Sequence, residues 1–385
     1  MNKVNNNLAL LSAYVYIGLI TIYYLFSISR ISEEYSINSN IIIYCAIPFF
    51  ILFIFLRQST IKELTIFVVM FLIGIISSFV TKQATIILTA TEVICCFSTD
   101  VKQTSRIMFD IEVFFLIFNM FLALTGIVTN EVVQYQRSFG GLIFRNSMGF
   151  SHYNGLGMVA FQISSLYMLG LDKIKENYFL HVVGLGIFNL IIYIISGDRT
   201  AFFSFLLLII LISIFKFKKN NNEKILCIVA DICLITFPLI CTYGIVFLNE
   251  KSPNAFNLVN NIFQTRPFYI LGYMNNYGIK LFGNNLKGPM SGLWGDPNQL
   301  VNVTLDSGFA NMVITYGIIF AIIFILVMCK LVNKLKTIRR YSWIIYIIVI
   351  CFYGLVENVL TYFTYNLCFM ILPLLFINDK KKNNG

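Results

Sequence analysis

Charge is scarce in this chain. Only 12% of its 385 residues are Asp, Glu, Lys or Arg, where an ordinary soluble domain carries about 25%. Histidine occurs twice, as His152 and His181, and tryptophan twice. No P-loop and no HExxH pattern is present, which leaves ATP-driven chemistry and a zinc-protease site without sequence support. Nine cysteines occur, all in or beside apolar runs, and the adjacent Cys95–Cys96 pair lacks metal-site spacing. They read as small apolar residues, with no disulfide framework. A net charge of +10 would suggest nucleic acid in a soluble protein. Here the charges punctuate apolar runs, so membrane topology explains them and no nucleic-acid partner is expected.

What the chain has instead is apolar surface, 58% of residues, with 38 Phe and 21 Tyr. A bilayer can solvate that excess; a soluble core cannot hold it. A helix crossing the hydrocarbon needs about 20 apolar residues. Runs of this kind predict spans at 8–27, 41–56, 64–80, 84–98, 107–128, 153–171, 179–196, 201–216, 225–247, 308–328, 342–357 and 359–377. The first run has no small-residue cleavage site after it and reads as a retained helix. The expected fold is an all-α polytopic membrane protein, a single domain over 1–385. It has about 12 transmembrane helices and one long extracellular loop, 248–307, between helices 9 and 10.

Lysine and arginine set the orientation. With the N-terminus inside, 19 of the 28 basic residues fall in inner loops and nine in outer segments. Both termini are therefore expected in the cytoplasm. Short helices within the long loop are expected at about 255–264 and 268–276. Loops of that length are uncommon and usually functional.

Arginine on the outer face runs against the charge bias, so each instance asks for a reason. Arg199 sits in the four-residue turn Gly197-Asp198-Arg199-Thr200 between two spans. Arg137 and Arg145 flank the segment SFGGLIFR, and Arg266 lies in the long loop. A guanidinium stays charged and binds phosphate oxygens bidentately, which suits a lipid-linked pyrophosphate. His152 and Asn154 stand where the chain re-enters the membrane, in the run GFSHYNGLG. They offer hydrogen bonds or a proton carrier there, and the same stretch also reads as a helix N-cap. Asp306 precedes the tenth span, as a helix-end carboxylate or as a base for a sugar hydroxyl. Glu92, Asp110, Glu112 and Asp231 fall inside spans, where acids are costly and suggest function. Asp110 and Glu112, two apart, would face different ways.

With these features in place, the chain resembles the Wzy-type polymerases of O-antigen and capsular repeat units, relatives of the O-antigen ligases. The resemblance rests on the many-span layout, on GFSHYNGLG, on SGDRT opening a span, and on a long loop ending in LDSGFANMVITYG. In the family these stretches commonly read GHPN-x-LG, SRT and LD-x-x-Y. Here Tyr153 stands where proline is usual, and Gly197-Asp198 separate Ser196 from Arg199. The resemblance implies a glycosyltransferase of the bacterial cytoplasmic membrane, with no metal or cofactor. It would polymerise undecaprenyl-pyrophosphate-linked oligosaccharides at the outer face, beside flippase and chain-length regulator proteins. Arg199 and Arg266 would stabilise the leaving pyrophosphate. His152 or Asp306 would take the proton from the attacking hydroxyl, and the choice stays open. Arg145, Asn154, Arg137 and Trp294 would contact substrate. A flippase for the same lipid-linked sugars and a ligase of finished glycan are the rival readings.

Overall fold

A computed structural model describes residues 2–136, 141–171, 177–217, 223–286 and 305–376. The elements run α1 (Asn2–Ser27), α2 (Arg30–Glu34), α3 (Asn40–Leu56), α4 (Ile61–Thr81), α5 (Thr85–Cys96), α6 (Val101–Leu124), β1 (Val132–Gln136) and β2 (Leu142–Asn146). There follow α7 (Tyr153–Ser165), α8 (Tyr178–Ser196), α9 (Arg199–Phe217), α10 (Glu223–Leu239) and α11 (Ile245–Lys251). The long-loop helices are α12 (Pro253–Ile262) and α13 (Arg266–Tyr277). The chain ends in α14 (Gly308–Ile314), α15 (Ile318–Thr337), α16 (Tyr341–Gly354) and α17 (Cys368–Ile371). π-helical turns extend α7 through Leu166–Gly170 and join α10 to α11 through Ile240–Gly244.

Among the described residues, seven helices are long and apolar enough to cross a membrane: Val4–Ser27, Ile61–Thr81, Val101–Leu124, Tyr178–Ser196, Arg199–Lys216, Glu223–Lys251 and Ile318–Thr337. Three further apolar helices, Asn40–Leu56, Thr85–Cys96 and Tyr341–Gly354, are shorter. The pattern of burial on α8 is that of a helix in lipid. It buries Asn189, Ile192 and Ser196 and exposes Phe179, Leu180, Ile187, Ile191 and Ile194. Polar side chains turned inward and apolar ones outward reverse the soluble arrangement, because only the protein side offers hydrogen bonds. By contrast, α16 is buried on nearly every face, as expected of an all-apolar helix wrapped by protein.

The chain divides into two compact units. Unit 1 comprises 1–67, 91–210 and 363–385, and unit 2 comprises 68–90 and 211–362. The core of unit 1 gathers Leu25, Phe115, Leu116, Phe150, Leu156, Val159, Ala160, Ile163 and Ile192. In unit 2, α10 packs on α15 and α16.

Three features depart from the expected helices. The segment after α6 folds into an antiparallel hairpin, with Val132 opposite Asn146 and Gln136 opposite Leu142. The expected tenth span, 308–328, is broken between α14 and α15 at Gly317, whose φ is +92°. The break is held by main chain from the long loop: Asn284 N donates to Thr315 O at 3.0 Å, Ile318 N to Lys280 O at 3.1 Å, and Ile319 N to Leu281 O at 3.2 Å. These bonds satisfy carbonyl and amide groups that a helix end leaves unpaired. Finally, the stretch expected as the twelfth span, 359–377, is turns up to Leu367 and then α17 with a short 3-10 turn, Leu372–Leu375. The two expected loop helices are present as α12 and α13.

Candidate functional site

Each unit holds one cluster of the residues singled out by sequence. In unit 1 the centre is Arg145, on β2 and only 7% exposed. Its Nε donates to Ser196 O at 3.0 Å and its Nη2 to Asn154 Oδ1 at 2.9 Å. Its Cζ lies 3.4 Å from the centroid of the Tyr153 ring. The cation thus rests on the carbonyl end of α8, where the helix dipole favours it. Gly197 follows with φ +65°, and a Cβ there would stand 3.0 Å from Arg145 Cγ. Arg145 is spent on internal contacts that lock the hairpin, α7 and the α8–α9 turn together.

His152 is exposed and caps α7: its Nδ1 accepts from Asn154 N at 3.2 Å. A ring nitrogen that accepts an amide proton holds none itself. The neutral imidazole then carries its proton on Nε2. The ring lies against Tyr153, with centroids 3.8 Å apart.

Asp198 closes the turn. Its Oδ1 accepts from Thr200 N at 3.0 Å and Ala201 N at 3.3 Å, capping α9. The amides that might have received a phosphate at this helix start are therefore occupied by the chain's own carboxylate. Gly157 makes room for it, since a Cβ there would overlap Asp198 Oδ2 and lie 2.9 Å from Asp198 Cγ. Arg199 is the first residue of α9 and half-buried. It has no ion-pair or hydrogen-bond partner among the described residues. A cation at a helix N-terminus opposes the dipole, so its placement is not explained by the helix it starts. A recess of about 10 Å³, room for about one water molecule, adjoins, lined among others by Asn189, Tyr193, Ser196, Asp198 and Phe202.

In unit 2, Arg266 opens α13. Its Nη2 donates to Glu357 Oε1 at 2.8 Å, and its Nε stands 3.7 Å from Asp306 Oδ2. The Glu357 and Arg266 side chains are 7% and 14% exposed, and that of Asp306 38%. Asp306 does not cap α14; Ser307 does, accepting from Ala310 N at 3.4 Å. Tyr273, on α13, has its phenol pushed up to about 12 by burial, with the charge of Asp306 adding to the effect, so it remains a neutral hydroxyl. Glu357 did not stand out in the sequence; an acid at the junction of two apolar runs was the available signal.

The remaining residues fall apart from these clusters. Arg137 and Trp294 lie outside the described residues. Asp110 is exposed and 3.9 Å from Arg106, whereas Glu112 on the same helix is fully buried, so the two do not pair. His181 Nδ1 meets Tyr167 OH at 2.8 Å, a structural contact inside unit 1. The carboxylate oxygens of Glu92 and Glu112 are buried without a hydrogen-bond partner among the described residues.

Fold and composition define a mostly helical, multi-span membrane protein. No family model, curated protein or solved structure matches the chain.

Proposed function

We propose that this chain is a glycosyltransferase of the bacterial cytoplasmic membrane that polymerises undecaprenyl-pyrophosphate-linked oligosaccharides. Both termini are assigned to the cytoplasm and the 248–307 segment to the outer face. The observation that carries the reading is the pairing in unit 2 of a half-exposed carboxylate, Asp306, with a largely buried guanidinium, Arg266. A positioned carboxylate within reach of a sugar hydroxyl can serve as its general base.

The roles follow from the local charges. Around Arg266 one positive charge meets two negative ones, a poor place for a diphosphate. Arg266 is better suited to orienting Asp306. In unit 1, Arg199 has no ion-pair partner among the described residues, which leaves its guanidinium to an anionic group of the lipid-linked substrate. His152 caps α7, and Arg145 and Asn154 hold the turn that carries Arg199. In the reaction the acceptor hydroxyl oxygen attacks the anomeric carbon and its proton passes to Asp306. The bond to the pyrophosphate oxygen breaks, and undecaprenyl pyrophosphate departs with the electron pair.

The test is lengthening of lipid-linked units by the purified protein in liposomes, read on a gel. Arg199→Ala and Asp306→Asn are expected to abolish lengthening while membrane insertion and yield are unchanged. Full lengthening by both variants overturns the assignment. Translocation of units without lengthening by the intact protein replaces the reading with a flippase. Transfer of finished glycan to an acceptor replaces it with a ligase.

A further inference from the structure

We infer that residues 278–286 of the long loop form a re-entrant segment: the chain dips into the bilayer beside the start of α15, with Leu281 and Phe282 against lipid hydrocarbon. The placement holds whichever face the loop occupies and whatever reaction the protein performs.

Main-chain bonds set the level of the segment. Ile318 N donates to Lys280 O at 3.1 Å, Ile319 N to Leu281 O at 3.2 Å, and Asn284 N to Thr315 O at 3.0 Å. Two glycines allow the backbones to come this close. A Cβ on Gly283 would overlap Thr315 O, and one on Gly317 would overlap Gly283 N. Both have positive φ, +90° and +92°. Wherever the first turn of α15 stands in the membrane, residues 280–284 stand beside it.

That turn lies within the hydrocarbon. From Ile318 to Cys329, α15 carries no charge, and Lys330 begins its basic end. At 1.5 Å per residue the uncharged stretch covers about 18 Å, against a hydrocarbon core of ~30 Å. Snorkelling of Lys330 adds about one helical turn, ~5 Å. About 7 Å of core therefore remains beyond Ile318, on the side of Gly317 and the segment bonded to it. Helix α14 fits the same depth, since all of its residues are buried in protein.

The surface of the segment agrees with this depth. Leu281 and Phe282 are 59% and 51% exposed, and they adjoin the exposed apolar face of α15 formed by Ile319, Ile322 and Leu326. Asn284 is buried instead, and its Nδ2 donates to Gly278 O at 3.1 Å and Ile314 O at 2.8 Å. Non-helical backbone persists at membrane depth only where protein satisfies its polar groups. The carbonyls of Gly278, Lys280 and Leu281 and the amide of Asn284 are all so satisfied. Lys280 and Asn285 are exposed and bracket the dip. A lysine stem reaches from there back to the headgroups.

The experiment places a tryptophan at Phe282 in the full chain, reconstituted in phosphatidylcholine vesicles with or without bromine on the acyl chains. The emission added over that of the parent protein is read, with Ile322→Trp on the lipid face of α15 as benchmark. Phe282→Trp is expected to be quenched by the brominated chains about as strongly as the benchmark, and weakly by aqueous iodide. Strong iodide quenching without bromine quenching overturns the inference. Leu281→Trp supplies the same readout where the first variant inserts poorly. Phe282→Glu is expected to lower the melting temperature by several degrees, because a charge at membrane depth is costly. An unchanged melting temperature is the outcome for a side chain in water and also overturns the inference.

Discussion

The Arg145 guanidinium sits over the Tyr153 ring, with its Cζ 3.4 Å from the ring centroid, and this contact fixes where the α8–α9 turn stands relative to α7. Lysine offers neither the planar face nor the fork that reaches both Ser196 O and Asn154. Arg145→Lys is expected to lower stability by about 1.5–3 kcal/mol, the range for a hydrogen bond to a charged group. Thermal unfolding in detergent measures it. An unchanged melting temperature with a raised KM would instead return Arg145 to direct substrate contact.

Gly157 and Asp198 make a second test of the same turn. Gly157→Ala puts a methyl group into the carboxylate that caps α9. The expected loss is about 1–3 kcal/mol, typical of overpacking. Asp198→Ala should cost about 1 kcal/mol as a lost cap. The double variant should lose less than the two single losses together, because the clash disappears with the carboxylate.

Removal of Glu357 leaves Arg266 without its hydrogen-bonded counter-ion. Glu357→Leu is expected to destabilise by about 3 kcal/mol, since breaking a buried pair strands the remaining charge. Arg266→Met combined with Glu357→Leu should recover most of the stability while lengthening stays abolished. Equal melting temperatures for single and double variants would deny the coupling.

The acids of α5 and α6 predict the opposite sign. Glu92 and Glu112 are buried with no hydrogen-bond partner among the described residues. An unsatisfied polar group costs about 1–3 kcal/mol in mutational data. Glu112→Met is therefore expected to raise the melting temperature. A stability gain accompanied by lost lengthening would mark Glu112 as functional; a gain with activity intact would mark it as a structural remnant.

Part of this was legible in the amino-acid order. Long apolar runs mark most helices because a bilayer demands length and hydropathy in one stretch, and α12 and α13 were expected as short helices at about 255–264 and 268–276 of the long loop. Arg199 stood out because the topology expected from the sequence puts it against the charge bias. The break at Gly317 was hidden: the apolar run continues through it, and what stabilises it is main chain from residues 280–284, which carries no side-chain signature. The hairpin was hidden because its inward residue, Arg145, is charged, while Leu142 and Phe144 point outward. That inverts the alternation expected of a soluble strand. Glu357 was hidden by distance, since its partner Arg266 lies 91 positions away. Its importance is a fact about a pair rather than about either residue.

The main-chain bonds between residues 280–284 and the start of α15 set a rule for anyone building chimeras of this protein. A junction placed before Gly278 keeps the seam intact, and the exchanged cassette then brings only α12 and α13. A junction inside 280–284 cuts the stitches themselves and leaves the first amides of α15 bare within an apolar surround. Swaps that look equivalent on an alignment would therefore differ sharply in whether the recipient inserts and folds.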